Sequence, residues 1–421
     1  MAKFRKMKKT RVLVVVVLLG IYSCNTPSEK SQTSDKQGFN TELVLPAQFF
    51  AQTDKEMKIS NGALHLMPGR SAKFSINIPE TGRYKVKVFG SSDSGSIWLE
   101  DHIDNKDDRT YNITGMVALN SEGKAVFVDG SPLAKGNHPM KLHASQDEVF
   151  IDSIALELMF PHRLTPTSLT QNMEGSEWKL KWSDEFDGEG LPDSTKWSYN
   201  VGNWGWGNFE PQYYTDRKLK NARREGGNLI IQAHQNDDGH LWSSARLTTQ
   251  GKVSFLYGKI EFRAKVPVGR GTWAAGWLLG DIYRDELSWP YCGEIDVLEC
   301  VGYEIEDETG KGYNHATCHT PAYYFKIGNQ ISSVIEVENM HNEFHTYGVE
   351  WYPDRIEAFL DGEHYYTYDK TADEREWPFF QPQNIILNLA VGGGWGGAEG
   401  IDSTWNSHEF ILDYVRVYEL Q

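Results

Sequence analysis

Glu294-Ile295-Asp296-Val297-Leu298-Glu299 reads as an apolar β-strand carrying three carboxylates, with one residue too many for simple alternation. Side chains of a regular strand change faces at every residue, so Glu294 and Asp296 share a face and Glu299 points the other way. A bulge in the Val297-Leu298 region would return Glu299 to the carboxylate face and leave Ile295 and an aliphatic neighbour in the core. Glu294 and Glu299 would then lie four steps apart, roughly 13 Å along the backbone. Inward-leaning side chains would bring their carboxyls to about 5–6 Å, near the spacing of retaining glycoside hydrolysis. In that chemistry one carboxylate attacks the anomeric carbon, and the other serves first as acid and then as base. Asp296, between them, would raise the proton affinity of a neighbouring glutamate. With 58 acids in 421 residues, about one acid-x-acid-x-x-acid window arises by chance, so the neighbours must decide.

Clefts that bind sugars need flat apolar surfaces for ring faces and polar groups for hydroxyls. The segment from Asn203 to Tyr214 combines Trp204, Trp206, Asn208 and Phe209 with two glycines in a loop pattern. Gly271 to Gly280 reads as a strand in which Trp273 and Trp277 share parity and would face one groove. In His315 to Tyr323, an extended chain puts His315, Thr317 and His319 on one face. Metal-binding histidines spaced by four suit a helix, which this segment lacks, so histidines bonded to sugar or to a carboxylate fit better.

The chain opens with Lys3, Arg5, Lys6, Lys8, Lys9 and Arg11 before a short apolar run from Val12 to Ile21, the layout of a secretory leader over residues 1–23. Ile21-Tyr22-Ser23-Cys24 resembles a bacterial lipobox, which implies a lipidated Cys24, a flexible tether over 24–40 and an outer-membrane or cell-surface lipoprotein. An ordinary cleaved signal, giving a periplasmic or secreted protein, is the alternative. The net charge is −16, and loss of the six basic leader residues leaves about −22. Such a surface disfavours nucleic acid and anionic polymers, fits a neutral polysaccharide, and leaves a lipid anchor as the one expected membrane contact. Cys292, Cys300 and Cys318 are expected as buried free thiols, and the chain as a monomer.

Short strands separated by turn signals predict an all-β protein. Residues 41–160 read as a small β-sandwich with strands at Ser71 to Ile78, Gly82 to Phe89, Lys124 to Val128, His138 to His143 and Val149 to Glu157. Residues 161–176 have the Pro, Ser and Asn content of a linker. Residues 177–421, dense in aromatics and glycine, fit one large antiparallel jelly roll of concanavalin type.

Gly82 to Val88 and Val149 to Glu157 are loosely similar to carbohydrate-binding modules of families 6 and 35, although the first sandwich shows no obvious aromatic platform; a spacer without ligand is the equal alternative. In the second domain, Trp182-Ser183-Asp184-Glu185-Phe186, Ser244-Ala245-Arg246, Trp289 to Glu299, Asn388 to Gly393 and Asp413 to Tyr418 resemble glycoside hydrolase family 16 in family order. The resemblance is to its laminarinase or endo-β-1,3(4)-glucanase branch, where the bulged motif is typical. It implies Glu294 as nucleophile, Glu299 as acid/base and Asp296 as their assistant. It places Asn208, Arg246, Trp273, Trp277 and His319 along the substrate. It implies no cofactor for catalysis, and a structural calcium at Glu185, Gly227 and Asp413. An agarase- or porphyranase-type galactan hydrolase and a non-catalytic surface glycan-binding lipoprotein are the other readings.

Overall fold

Ser71–Ile78 buries Ala72, Phe74, Ile76 and Ile78 and exposes Lys73, Ser75 and Asn77, the period-two signature of a strand with one wet face. The same alternation recurs along most of the chain and produces an almost purely β architecture. The structure, a computed structural model, describes residues 42–53, 57–105 and 109–421. The expected leader, Cys24 and tether lie outside the described residues.

The first sandwich pairs a six-stranded sheet with a five-stranded one. Val149–Pro161 is the long member of the former, bonded to Glu42–Pro46, Ala63–Leu66 and Gly82–Ser91. Gly136–Ala144 lies between Ser71–Ile78 and Ser96–Asp101 in the latter. The expected strand at Lys124 to Val128 instead spans Val126–Leu133. It runs on through Gly130 and Pro132, residues that composition reads as a turn, because an edge strand tolerates both.

The second sandwich stacks a nine-stranded sheet on a ten-stranded one, around a core that includes Phe262, Leu278, Ile295, Leu298, Trp351, Leu387 and Val415. In the nine-stranded sheet, Gln383–Val391, Thr272–Gly280, Glu294–Val301 and Gly312–His319 are successive neighbours. Gln383–Val391 is buried at all nine positions, so both of its faces are covered. Cys292, Cys300 and Cys318 are free and buried, as expected.

Residues 161–176 are more than a spacer. Ser168–Thr170 adds a parallel strand to Ser254–Leu256, and Thr165 Oγ1 donates to Asp281 at 2.6 Å. Composition registers that this stretch breaks regular structure; it carries no information on whether the stretch is docked.

The two sandwiches meet over a tight seam. Trp204, Trp206 and Tyr214 of the second join the apolar core of the first. Asn203 N–H donates to Asp129 O at 3.0 Å, and Asp129 N–H donates to Asn203 Oδ1 at 2.9 Å. Gly130 and Gly202, both at positive φ, allow this approach: a Cβ on Gly130 would lie 2.1 Å from Val201 O, and one on Gly202 would lie 2.0 Å from Asp129 O.

Candidate active site

Along Glu294–Val301 the pairing with Thr272–Gly280 sets Glu294 opposite Leu279, Asp296 opposite Trp277 and Glu299 opposite Ala275, with a register shift between Gly276 and Trp277. Leu279, Trp277 and Ala275 alternate along one face, so all three acids share that face. The bulge falls where parity required it, and Ile295, Val297, Leu298 and Cys300 turn into the core. Its disturbed backbone is clamped by buried Asn314, which accepts from Glu299 N–H at 3.0 Å and donates through Nδ2 to Val297 O at 2.9 Å. Nothing in the spacing of the acids pointed to Asn314.

An indole orients each glutamate. Trp289 Nε1 donates to Glu294 Oε2 at 2.8 Å, and Trp273 Nε1 donates to Glu299 Oε1 at 3.2 Å. Burial pushes all three carboxyls above the usual carboxylate range, and the charge of Glu294 pushes Glu299 further. Asp296 is raised by burial and then by Glu299 and Glu294. Burial drives His319 down to about 3, so its imidazole is neutral in the free cleft. Its Nε2 lies 3.5 Å from Asp296 Oδ2 and 3.9 Å from Glu294 Oε1. His315, four residues back on the strand, bonds instead to Glu304 at 2.7 Å.

Asn208, Arg246, Trp273 and Trp277 line the same open groove as the three acids. Trp277 Nε1 donates to Asn388 Oδ1 at 2.8 Å, while its ring faces the Arg246 guanidinium at 4.8 Å. Asn208 donates to Glu210, which burial raises to about 7. Asp413 lies on the strand Ser407–Leu420, and Glu185 and Gly227 adjoin the strands on either side of it, which pair with it at Asp184–Val415 and Leu229–Leu412. Gly227 offers only a backbone carbonyl, and each of the two carboxylates has a guanidinium partner. Arg416 grips Glu185 through two bonds of 3.0 and 2.8 Å, and Arg263 bonds Asp413, so guanidinium groups already supply the positive charge an ion would bring.

Several groove residues carried no sequence signal. Tyr283 and Glu286 come from a loop, Phe325 and Lys326 from the short 3-10 turn Phe325–Ile327, and Arg83 from the first sandwich. The Arg83 guanidinium lies 5.7 Å from the Trp206 and Tyr283 rings, and Arg246 covers Trp206 at 5.0 Å, so cations and indoles alternate from the seam to the floor. Arg109 and Tyr111 of the first sandwich donate to Trp289 O at 2.9 and 3.3 Å, holding the residue whose indole holds Glu294. The first sandwich therefore contributes both a wall and a support to the groove.

Two buried glutamates held by indoles on one groove floor, with a third acid between them, form a constellation suited to acid/base and nucleophilic chemistry at a glycosidic carbon. Comparison with known proteins agrees. A "Beta-glucanase" of Rhodothermus marinus is 47% identical over 249 residues, covering 57% of this chain and 85% of that protein. A "Glucan endo-1,3-beta-glucosidase" of Cryptopygus antarcticus is 35% identical, covering 57% and 91% respectively. Among solved structures, the laminarinase from Rhodothermus marinus superimposes with a TM-score of 0.54 at 45% identity, covering 58% of this chain and 98% of that one. The family profile described as glycosyl hydrolases family 16 matches residues 202–407. With this match, these relatives and the carboxylate strand at its centre, the chain belongs to glycosyl hydrolase family 16.

Proposed function

We propose that the protein is a retaining endo-β-1,3-glucanase acting on laminarin-like glucan, with mixed-linkage β-1,3(4)-glucan as the close alternative. The observation that carries this is the bulged strand that turns Glu294, Asp296 and Glu299 onto one groove floor. Ionised Glu294 attacks the anomeric carbon while Glu299 passes its proton to the departing glycosidic oxygen. Water then gives a proton to Glu299 and displaces Glu294 from the same carbon, restoring both groups. Burial, and then the charges of Glu299 and Glu294, favour the protonated form of Asp296, which limits the negative charge in the cleft. Neutral His319 can hydrogen-bond to Asp296 or to a sugar hydroxyl without adding charge. No step calls for a metal or cofactor.

Incubation with laminarin, barley β-glucan and agarose tests the reading. Short oligosaccharides with the β-anomer formed first are expected from laminarin, with slower or no release from agarose. Agarose as the preferred substrate would replace the glucan reading by a galactan one, and tight binding with no reducing ends released would remove the enzymatic reading. Arg83→Ala is expected to raise KM about tenfold for an oligosaccharide long enough to reach the seam, with kcat within about twofold. Kinetics on a chain-length series check this, since short substrates should not register the change.

Export, with surface anchoring through Cys24, is part of the proposal and rests on the basic-apolar leader and the lipobox-like Ile21 to Cys24. Labelling with a radioactive fatty acid tests it.

A further inference from the structure

Phe209 combines two features that folding alone does not reward. Its backbone is in the left-handed region at φ 60°, an outlier for a bulky side chain, and its ring is 70% exposed. The chain thus bears the strain without burying the apolar surface, a combination found where a side chain serves a ligand. The turn is held on both sides of the ring. Asn208 O accepts from Gly394 N–H at 2.7 Å, and Glu210 N–H donates to Gly205 O at 3.0 Å.

Phe209 borders a second groove that leaves the cleft and crosses onto the first sandwich. Asn208, Phe325 and Lys326 line both grooves, and beyond them Glu100, Thr110 and Asn112 of the first sandwich bound the second. Tyr111–Asn112 is the edge strand of the five-stranded sheet, with Asn112 paired to Glu100. At the junction, Lys326 Nζ lies 4.9 Å from the Tyr111 ring and 5.7 Å from the half-exposed Phe325 ring. Two donors here are unused among the described residues. Trp204 is buried and lines both grooves, yet its Nε1 has no acceptor. Asn112 Oδ1 accepts from Thr114 N–H at 3.1 Å, while its Nδ2 has no protein partner. Aromatic faces on one side and mixed donors and acceptors on the other suit a neutral sugar.

We propose that this second groove binds the glucosyl units of the substrate chain that lie beyond the cleft, making the first sandwich an extension of the active site rather than an independent module. The inference rests on the glucanase reading, since a groove continuous with the cleft receives the same polymer. Sugar ring faces lie against Phe209 and Phe325, and Glu100, Thr110 and Asn112 meet hydroxyls.

The test titrates the full chain, made inactive by Glu294→Gln, with laminari-oligosaccharides of increasing length in a calorimeter. Affinity should go on rising after the cleft is filled. Adding Phe209→Asn, whose new residue tolerates a left-handed backbone, should weaken a long oligosaccharide about tenfold. It should leave laminaritriose binding unchanged and the melting temperature equal or higher. Asn112→Asp keeps the acceptor for Thr114 but removes the Nδ2 donor, and should cost about threefold on the long ligand alone. In the active enzyme both losses should appear in KM with kcat held. Laminarin cleaved normally, with long oligosaccharides untouched by both substitutions or with long and short weakened alike, overturns the second groove and leaves the glucanase reading standing. Length-dependent binding lost in the variants, with no cleavage by the wild type, supports the groove and removes only the enzymatic reading. Neither cleavage nor binding of these glucans overturns both. If Phe209→Asn fails to fold, Asn112→Asp decides.

Discussion

Glu294→Ser is expected to lower kcat on β-glucan by on the order of 10⁴ or more, equivalent to about 5 kcal/mol of transition-state stabilisation. The carboxylate that would form the covalent intermediate is gone, and no other acid is held against the same face by Trp289 Nε1. Folding should survive, because the substitution removes a buried carboxyl whose ionisation is opposed by burial. The melting temperature is therefore expected to hold or rise. Azide supplies the decisive measurement: the space vacated by Glu294 admits it on the nucleophile's face, and an activated β-glucoside should yield the α-glycosyl azide. Full hydrolysis of laminarin by Glu294→Ser would falsify the assignment.

Glu299→Ala is expected to cost about 10³ in kcat on polysaccharide, where the leaving oxygen needs a proton. The loss should be far smaller for an aryl glucoside whose leaving group needs none. Azide should now produce the β-glycosyl azide, the opposite anomer, because attack follows formation of the Glu294 ester. The pH profile carries the same signature. Burial, and then the charge of Glu294, hold the Glu299 pKa above the ordinary carboxyl range, so in the wild type the acid stays protonated into neutral solution. Activity is lost only as pH rises through that elevated value, and the alkaline limb should vanish in Glu299→Ala. An unchanged alkaline limb would assign it to another group.

The carboxylate strand was legible because parity is a local property. Three acids and three aliphatics in six residues allow one arrangement that keeps the acids together, and it requires a bulge. Trp273 and Trp277 were placed in the groove by the same period-two argument. Their tasks were not legible: Trp273 steers Glu299 with its indole N–H, and Trp277 bonds Asn388 while facing Arg246. The expected calcium donors show the converse. Their residue types suit the ion, yet Arg416 and Arg263, brought alongside by strand pairing, occupy the carboxylates.

The sequence by itself determined the all-β class, the bulged acid strand, the buried free thiols and the family, because each depends on side-chain alternation, burial preference or ordered motifs along the chain. Tertiary structure decided what surrounds the acids. Arg109 and Trp289 are 180 positions apart, and Asp129 and Asn203 are 74 apart; no periodicity links such pairs. Two glycines that let backbones approach, and a shared apolar core, bring the first sandwich against the cleft. A region that composition presents as an appended module thereby becomes one wall of the site, since side chains that meet across a seam are selected by packing, which local sequence does not record.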